Sequence, residues 1–133
     1  MSYLLDTNIC IKYLNGHSDN IRKNIELKHP QEIMVCSVVK AELFYGSLKS
    51  LNPTRNLEKQ QRFVNRFLSL PFDDRAASVY SRIRAQLEKS GTPIGPNDLL
   101  IASIALANDQ TLITHNTREF ARGDNLKIED WEN

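Results

Sequence analysis

The chain has 133 residues, which suits one domain, and its 41% hydrophobic and 25% charged residues exclude a disordered chain or a collagen-like fibre. Lys and Arg number 17 and Asp and Glu 16, for a net charge of +1. This near balance argues against a strongly basic nucleic-acid coat and against an acidic tail, although it is compatible with a local basic patch.

Short apolar runs alternate with longer amphipathic segments along the whole chain. Gly16 ends the first predicted helix, and Ser18 and Ser37 are predicted N-caps of the next two. Pro71 suits a strand at the edge of a sheet. The predicted elements are a strand at 3–5, helices at 9–14 and 18–27, a strand at 33–36, helices at 37–49 and 54–68, a strand at 70–72, helices at 73–89 and 97–108, and strands at 111–114 and 126–128.

Strands that alternate with helices predict an α/β fold, with a mainly parallel central sheet covered by helices on both faces. Segment 38–89 is rich in helix and predicts a helical excursion from simple alternation. No repeat, linker or low-complexity tract divides the sequence, so we expect residues 1–133 to form one domain.

The cysteines and the apolar runs indicate the cellular compartment of the protein. Cys10 and Cys36 lie in apolar segments, so we interpret them as buried, unpaired side chains of a reducing compartment. Asp6 interrupts the apolar start, which does not resemble a signal peptide, and no run reaches the ~20 residues of a membrane span. We therefore expect a cytoplasmic protein without a membrane partner.

Three acids occupy positions that suggest a site. Asp6 ends the first strand and is either the N-cap of the next helix or a site residue. Glu42 falls in an apolar sector that Ala41 and Tyr45 help to define, where it is either half of a buried salt bridge or a site carboxylate. Asp98 lies in the first turn of the most apolar helix, where it either complements the helix dipole or belongs to the site.

These side chains are expected to meet at one edge of the sheet. Asp6 and Asn116 lie just past the carboxyl ends of predicted parallel strands, where open α/β sheets bind ligands. Glu42 and Asp98 lie near the starts of helices, which begin at that same edge. Carboxylates brought together repel one another, and a hard divalent cation such as Mg²⁺ or Mn²⁺ relieves the repulsion. We therefore expect a metal site with these three acids as candidate ligands.

Other site chemistries lack their signature residues. His17, His29 and His115 are scattered without the spacing of a zinc site, and we interpret each as a surface residue. The sequence has no Gly-x-Gly-x-x-Gly motif, no Walker loop and no Gly-x-Ser-x-Gly elbow, which argues against dinucleotide, NTP and esterase sites.

Four short segments carry a family resemblance: LLDTN at 4–8, AEL at 41–43, GPNDLLIA at 95–102 and LITHN at 112–116. In this order they resemble the PIN-domain ribonucleases, and more narrowly the VapC toxins of type II toxin–antitoxin modules. The resemblance implies a three-layer α/β/α domain, Mg²⁺-dependent cleavage of RNA, often structured RNA such as tRNA, and inhibition of translation and growth. It also implies a cognate VapB-type antitoxin and a homodimer.

The resemblance also implies roles for single residues. Asp6, Glu42 and Asp98 match the family's three main acids, which implies Asp6 and Asp98 as direct metal ligands and Glu42 as a ligand or water-orienting base. The family's fourth position is often Asp, whereas here it is Asn116, which can orient a water but supplies no charge. Glu119, one helical turn further, stays outside the predicted site. Candidate contacts to substrate phosphates are Lys40, Arg82, Arg84, Arg118 and Arg122.

Three alternatives stay open beside a toxin. A housekeeping PIN nuclease of RNA processing would share the chemistry and differ in its partner, so an adjacent gene for a small DNA-binding antitoxin favours the toxin. A non-catalytic binding module would leave RNA intact in Mg²⁺. A phosphoacceptor receiver domain would form an acyl-phosphate on Asp6, but it needs paired acids after the first strand and a lysine that segment 114–120 lacks.

Overall fold

Five strands form one parallel sheet in the computed structural model, which describes residues 1–122 and 125–133. The strands are β1 (Tyr3–Leu5), β2 (Ile33–Cys36), β3 (Leu68–Leu70), β4 (Thr111–Ile113) and β5 (Ile128–Glu129). Their order in the sheet is β3-β2-β1-β4-β5. The helices are α1 (Thr7–Asn15), α2 (Asp19–Leu27), α3 (Ser37–Leu48), α4 (Pro53–Val64), α5 (Asp74–Lys89), α6 (Pro96–Ala107) and α7 (Thr117–Phe120), and a 3₁₀ turn at Pro30–Glu32 leads into β2.

The central strand β1 is buried on both faces. Leu4 pairs with Met34 of β2 on one side and with Leu112 of β4 on the other. Leu4, Leu5 and Ile113 have no exposed surface, and such continuous apolar strands are typical of a parallel sheet covered by helices on both faces. The predicted three-layer α/β/α class is thus confirmed.

Capping signals place most helix ends where the sequence predicts them. A side-chain oxygen of Asp6 accepts a hydrogen bond from the first turn of α1, and Ser18 caps α2 in the same way. Gly16 ends α1 with a φ of 67°, a conformation that glycine adopts without strain. Ser37 is instead the first residue of α3, and Cys36 holds the N-cap position. That predicted cap is therefore wrong by one residue.

The helix predicted at 54–68 is too long. It ends at Val64, where the amides of Arg66 and Phe67 donate to the carbonyls of Phe63 and Val64 and turn the chain toward the sheet. Leu68 then begins β3 and pairs with β2. Phe63, Val64 and Phe67 are buried in the core, while Leu68 is 62% exposed, because the turn carries it off the helix face.

Two strands are displaced from their predicted positions. The strand predicted at 70–72 lies at 68–70, because Pro71 has no N–H to donate to a neighbouring strand and pairing ends before it. The strand predicted at 126–128 lies at 128–129, where Ile128 pairs with Leu112.

The cysteines have the environment that the sequence predicts. Cys10 and Cys36 are both buried and free. Burial raises the pKa of both thiols, that of Cys36 to about 11, so both behave as small apolar side chains. In the described part of the chain, no helix combines the length and apolar character needed to cross a membrane.

Candidate active site

Four elements bring the predicted site residues to the carboxyl edge of the sheet. Asp6 directly follows β1, and Asn116 begins α7 after β4. Glu42 lies on α3, and Asp98 lies in the first turn of α6. A crevice of about 230 Å³ at this edge is lined by Glu42, Asp98 and segment 95–97.

Asp6 caps α1 and also lies near the other acids of the candidate site. It is 5% exposed, and its Oδ1 accepts a hydrogen bond from the Ile9 amide at 2.9 Å, which caps α1. Burial raises the pKa of the Asp6 carboxyl and the nearby Glu42 raises it further, against the lowering effect of hydrogen bonds from Thr114 and Ile9. Capping orients the carboxylate without moving it away from the other acids.

Glu42 is held by two hydrogen-bond donors. Thr7 Oγ1 donates to Glu42 Oε1 at 2.6 Å, and Asn97 Nδ2 donates to Oε2 at 3.2 Å. Among the described residues no Lys or Arg forms an ion pair with it, so the salt-bridge alternative is not observed. These bonds fix the orientation of the carboxylate at the mouth of the crevice.

The apolar sector predicted around Glu42 is wrong. Ala41 is exposed and Tyr45 is 63% exposed, while the buried face of α3 carries Val39 and Leu43. Glu42 is half-buried at the border between these faces. The sequence pattern misleads because several apolar side chains of α3 lie on its outer surface.

The pKa of Asp98 is affected both by burial and by the neighbouring acids. Its side chain is half-buried at the start of α6. Burial, and then the negative charges of Glu119, Asp6 and Glu42, raise its pKa to about 6. The acids are therefore close enough to repel one another, as expected for carboxylates that share one site.

Glu119 joins this group although the sequence interpretation leaves it out. Its Oε1 accepts a hydrogen bond from the Gly95 amide and its Oε2 one from Asn116 Nδ2, both at 2.8 Å. These bonds, with that of Gly95 contributing most, lower the pKa of Glu119. Asn116 itself is exposed and orients Glu119. The spacing of three residues between Asn116 and Glu119 at a helix start was the available signal.

Gly95 marks how closely two of the acids approach. A Cβ atom built at this position would lie 3.7 Å from Asp98 Oδ2 and 3.8 Å from Glu119 Oε1. Both carboxylates thus border the same point of the backbone. The segment that leads into α6 therefore positions Asp98 in the first turn of the helix and binds Glu119 through the Gly95 amide.

The donor set fits a hard divalent cation. Asp6, Glu42 and Asp98 offer only oxygen ligands, which Mg²⁺ and Mn²⁺ prefer. The raised pKa values of Asp6 and Asp98 reflect burial and mutual repulsion, which a cation would offset. Asn116 adds no charge, but Glu119 supplies the fourth carboxylate that the sequence does not place there.

A second acidic cluster lies at the end of β5 and has a different character. His115 is exposed, as the sequence predicts, and its Nδ1 lies 2.9 Å from Asp130 Oδ2 and 3.2 Å from Glu132 Oε2. Their ligand atoms lie within 4.8 Å of one another. Lys12 Nζ also contacts Glu132, and this ammonium group offsets the charge of that carboxylate. We assign these contacts to anchoring the C-terminal segment.

The predicted phosphate contacts have varied surroundings. Arg84 Nε donates to Glu88 Oε2 at 3.2 Å, and Arg122 donates to the Pro93 carbonyl at 3.0 Å. Their charge therefore borders the loop that enters α6. The remaining candidates lie on the surface or partly so: Arg82 and Arg118 are exposed and Lys40 is half-buried.

Known proteins are similar to this chain over nearly its whole length. A family model described as the PIN domain matches residues 3–126. The chain belongs to the PIN domain family. It is 42% identical to Ribonuclease VapC2 of Rickettsia felis, over 99% of both chains, and 38% identical to the tRNA(fMet)-specific endonuclease VapC of Salmonella typhimurium, over 98% of both. The resemblance to VapC proteins is thus confirmed at full length.

Solved structures extend the likeness from sequence to fold. The crystal structure of VapBC2 from Rickettsia felis bound to a promoter DNA fragment contains a chain that superimposes with a TM-score of 0.92, covering 98% of this PIN domain and 99% of that chain. A DNA-bound VapBC structure from Salmonella typhimurium gives 0.93, with 98% of both chains covered. The whole fold, including its parallel sheet, therefore superimposes on a chain of each VapBC structure.

Proposed function

We propose that this protein is the toxin of a type II toxin–antitoxin module, an Mg²⁺-dependent endoribonuclease that cleaves RNA and so inhibits translation and growth. The observation that carries the proposal is that Asp6, Glu42 and Asp98 lie together at the carboxyl edge of the sheet, where burial and then the neighbouring negative charges raise the pKa of Asp98 to about 6. Its full-length relatives are named VapC ribonucleases, which supports this chemistry. A single-domain cytoplasmic enzyme is the form we propose.

The acids have distinct tasks in this proposal. Asp6 and Asp98 are direct metal ligands, and Glu42 is a ligand or the base that orients a water. Thr7 and Asn97 hold the two oxygens of Glu42, so this carboxylate faces the crevice in one orientation. Glu119 adds negative charge beside Asp98, and Asn116 positions Glu119 as the outer part of the site.

Bound Mg²⁺, or Mn²⁺ in its place, would polarise the scissile phosphate and provide a water of lowered pKa. As the base, Glu42 would accept a proton from the attacking water, which would add to phosphorus while the bond from phosphorus to the 3′ oxygen breaks and that oxygen takes up a proton from solvent. Hydrolysis in this direction leaves a 5′-phosphate and a 3′-hydroxyl, whereas attack by the ribose 2′-hydroxyl would leave a cyclic phosphate. The ends of the product therefore report the mechanism.

The substrate we propose is a structured RNA such as tRNA. One relative with 38% identity is named a tRNA(fMet)-specific endonuclease, which supports this substrate class. Lys and Arg side chains would contact phosphates of the substrate, and Arg118 and Arg82 are exposed candidates for this.

A cognate VapB-type antitoxin is the proposed inhibitor. A groove of about 270 Å³ between α1, α3 and α4 ends beside Glu42, with Ile11 and Leu14 on its apolar side and Lys59 on its rim. Phe63 and Val64 of α4 do not form this groove, because both are buried in the core. An antitoxin tail could place an apolar side chain here and an Arg among the acids. The homodimer implied by the resemblance stays a prediction.

The proposed function is tested with the purified chain on total RNA. We expect cleavage in Mg²⁺, its loss in EDTA, and its recovery when Mg²⁺ is added back. Product ends should carry a 5′-phosphate. Co-expression of the small protein encoded beside the toxin should relieve growth arrest, whereas a housekeeping nuclease would show no such relief. Cleavage that continues undiminished in EDTA would overturn the metal-dependent mechanism.

A further inference from the structure

A second cavity lies on the other side of the loop that borders the crevice. It measures about 220 Å³ and lies between α5 and segment 93–96. Leu87, Ile94 and Leu99 form apolar walls, and Pro96 lines both this cavity and the crevice. The cavity therefore shares a wall residue with the crevice, and the proposed hydrolysis does not use it.

The rim of the cavity carries donors and acceptors in a fixed arrangement. Arg84 donates from Nη1 to the Tyr80 hydroxyl at 3.0 Å and from Nε to Glu88 Oε2 at 3.2 Å. The Tyr80 ring packs edge to face against Phe72, with ring centroids 5.9 Å apart. A phenol, a guanidinium and a carboxylate thus stand in a row above apolar walls.

The wall shared by the two spaces is held from both sides. Arg122 donates to the Pro93 carbonyl at 3.0 Å, and the Gly95 amide donates to Glu119 Oε1 at 2.8 Å. The first bond holds the cavity side of the loop, and the second ties the loop to the acids. A ligand in the cavity would therefore contact the same loop segment that borders the acids.

We propose that the cavity receives one unpaired nucleobase of the RNA substrate, from a nucleotide adjacent to the scissile phosphate. The cavity is smaller than the roughly 300–1,000 Å³ of pockets for drug-sized ligands, and so it suits a single flat heterocycle. Apolar walls cover the faces of a base, and the charged rim matches the hydrogen-bonding groups on its edge. This inference rests on the proposed ribonuclease function.

Two consequences follow for the substrate. A base can enter the cavity only after leaving its stack, so the cut must fall in a loop or another unpaired stretch. Contacts to a base edge carry sequence information, whereas contacts to phosphate do not. The enzyme should therefore prefer one type of base at one position beside the cut, and Glu88 and Arg84 set that preference.

The probe for this proposal is a set of short RNA hairpins with loops of random sequence, cleaved in Mg²⁺, with the new ends sequenced. The preferred oligonucleotide is then made again with an abasic nucleotide at the selected position. Ile94→Phe fills the cavity, and Glu88→Gln alters its edge while keeping its shape. Leu27→Phe and Glu58→Gln make comparable chemical changes on α2 and α4, away from the cavity, and are the matched controls.

For the wild-type chain we expect one selected base and a loss of kcat/KM of about tenfold to a hundredfold with the abasic oligonucleotide, the range of base stacking on protein. Ile94→Phe should lose both the selection and the sensitivity to the abasic nucleotide, and Glu88→Gln should change which base is selected. Both control variants should behave like the wild type.

Cleavage without base preference at any position beside the cut overturns the cavity assignment while leaving the ribonuclease intact. So does an Ile94→Phe enzyme that keeps both preference and abasic penalty. If Ile94→Phe fails to fold, the abasic oligonucleotide and Glu88→Gln still decide the question. Absence of any Mg²⁺-dependent cleavage by the wild-type chain, on these oligonucleotides and on total RNA, overturns the ribonuclease and the cavity assignment together.

Discussion

Replacing Asp98 with asparagine should stabilise the metal-free protein while abolishing cleavage. Burial and the charges of Glu119, Asp6 and Glu42 raise the pKa of Asp98 to about 6 from an ordinary value of 3.8. The folded protein therefore holds the Asp98 carboxylate at a cost, and the Asp98→Asn substitution would remove the charge while keeping the shape. A residue that lowers stability in the absence of its ligand is expected at a functional site.

The magnitude follows from the pKa. A rise from 3.8 to about 6 corresponds to about 3 kcal/mol at neutral pH, and solvent screening of a half-buried side chain reduces this to about 1–2 kcal/mol. Loss of a negative charge from the first turn of α6 opposes the gain by about 0.3–1 kcal/mol. We therefore expect the free energy of unfolding to rise by about 1 kcal/mol, which raises Tm by about 2–6 °C for a chain of this size.

The sign of the pH dependence provides an internal check. Because the folded-state pKa of Asp98 lies above the unfolded value, its contribution to stability is present below pH ~4 and is lost as pH rises through about 6. The difference in stability between wild type and Asp98→Asn should therefore be largest at pH 7.5, fall to about half at pH 5 and vanish below pH ~4.

Thermal unfolding in EDTA at both pH values measures the effect. Asp74→Asn is the matched control, since Asp74 also lies in a first helical turn, that of α5, but is exposed and is not among the charges that raise the pKa of Asp98. It should lower Tm slightly. An Asp98→Asn protein with unchanged or lower Tm at pH 7.5, or with the same advantage at pH 5, would refute the electrostatic reasoning.

Three further predictions concern single residues. Asp6→Asn should abolish cleavage yet keep the α1 cap, whereas Asp6→Ala should also lose about 1 kcal/mol of stability through the missing cap; circular dichroism and urea unfolding separate the two, and equal stability would argue against capping. Asn116→Asp should replace a 2.8 Å hydrogen bond to Glu119 by repulsion, lowering Tm in EDTA but less so in Mg²⁺; an unchanged Tm in EDTA would show that the two side chains do not interact. In the cognate antitoxin, replacing the Arg that reaches the acids should weaken inhibition of cleavage more than binding, as measured by titration calorimetry beside a cleavage assay, and an equal loss of both would contradict that mechanism.

The fold was predictable because its signals are local and its strands are short and apolar. Gly16 and Ser18 mark helix ends by backbone conformation and capping, which need no information from distant residues. The end of α4 was not predictable, because Phe67 continues the apolar pattern of Phe63 and Val64. The turn after Val64 instead places Leu68 beside β2, where it pairs. Tertiary pairing decides that boundary.

The candidate site was predictable to the level of its strands and helices. Asp6 and Asp98 stand at element boundaries, and parallel topology brings those boundaries together. Glu119 was not placed, because its approach depends on a hydrogen bond to Gly95, 24 positions away in the sequence. The apolar sector predicted on α3 was wrong because Tyr45 counts as apolar in the sequence pattern, whereas its side chain lies on the surface.

The most direct test of the central claim is the sequencing of RNA 5′ ends after brief induction of the protein, beside an Asp6→Asn variant confirmed to fold. If the crevice acids carry out hydrolysis, new 5′-phosphate ends should appear at one or a few RNA sites with the wild-type chain and should be absent with the variant. The same ends in both samples, or no new ends with the wild type, would contradict the assignment of RNA cleavage to this crevice.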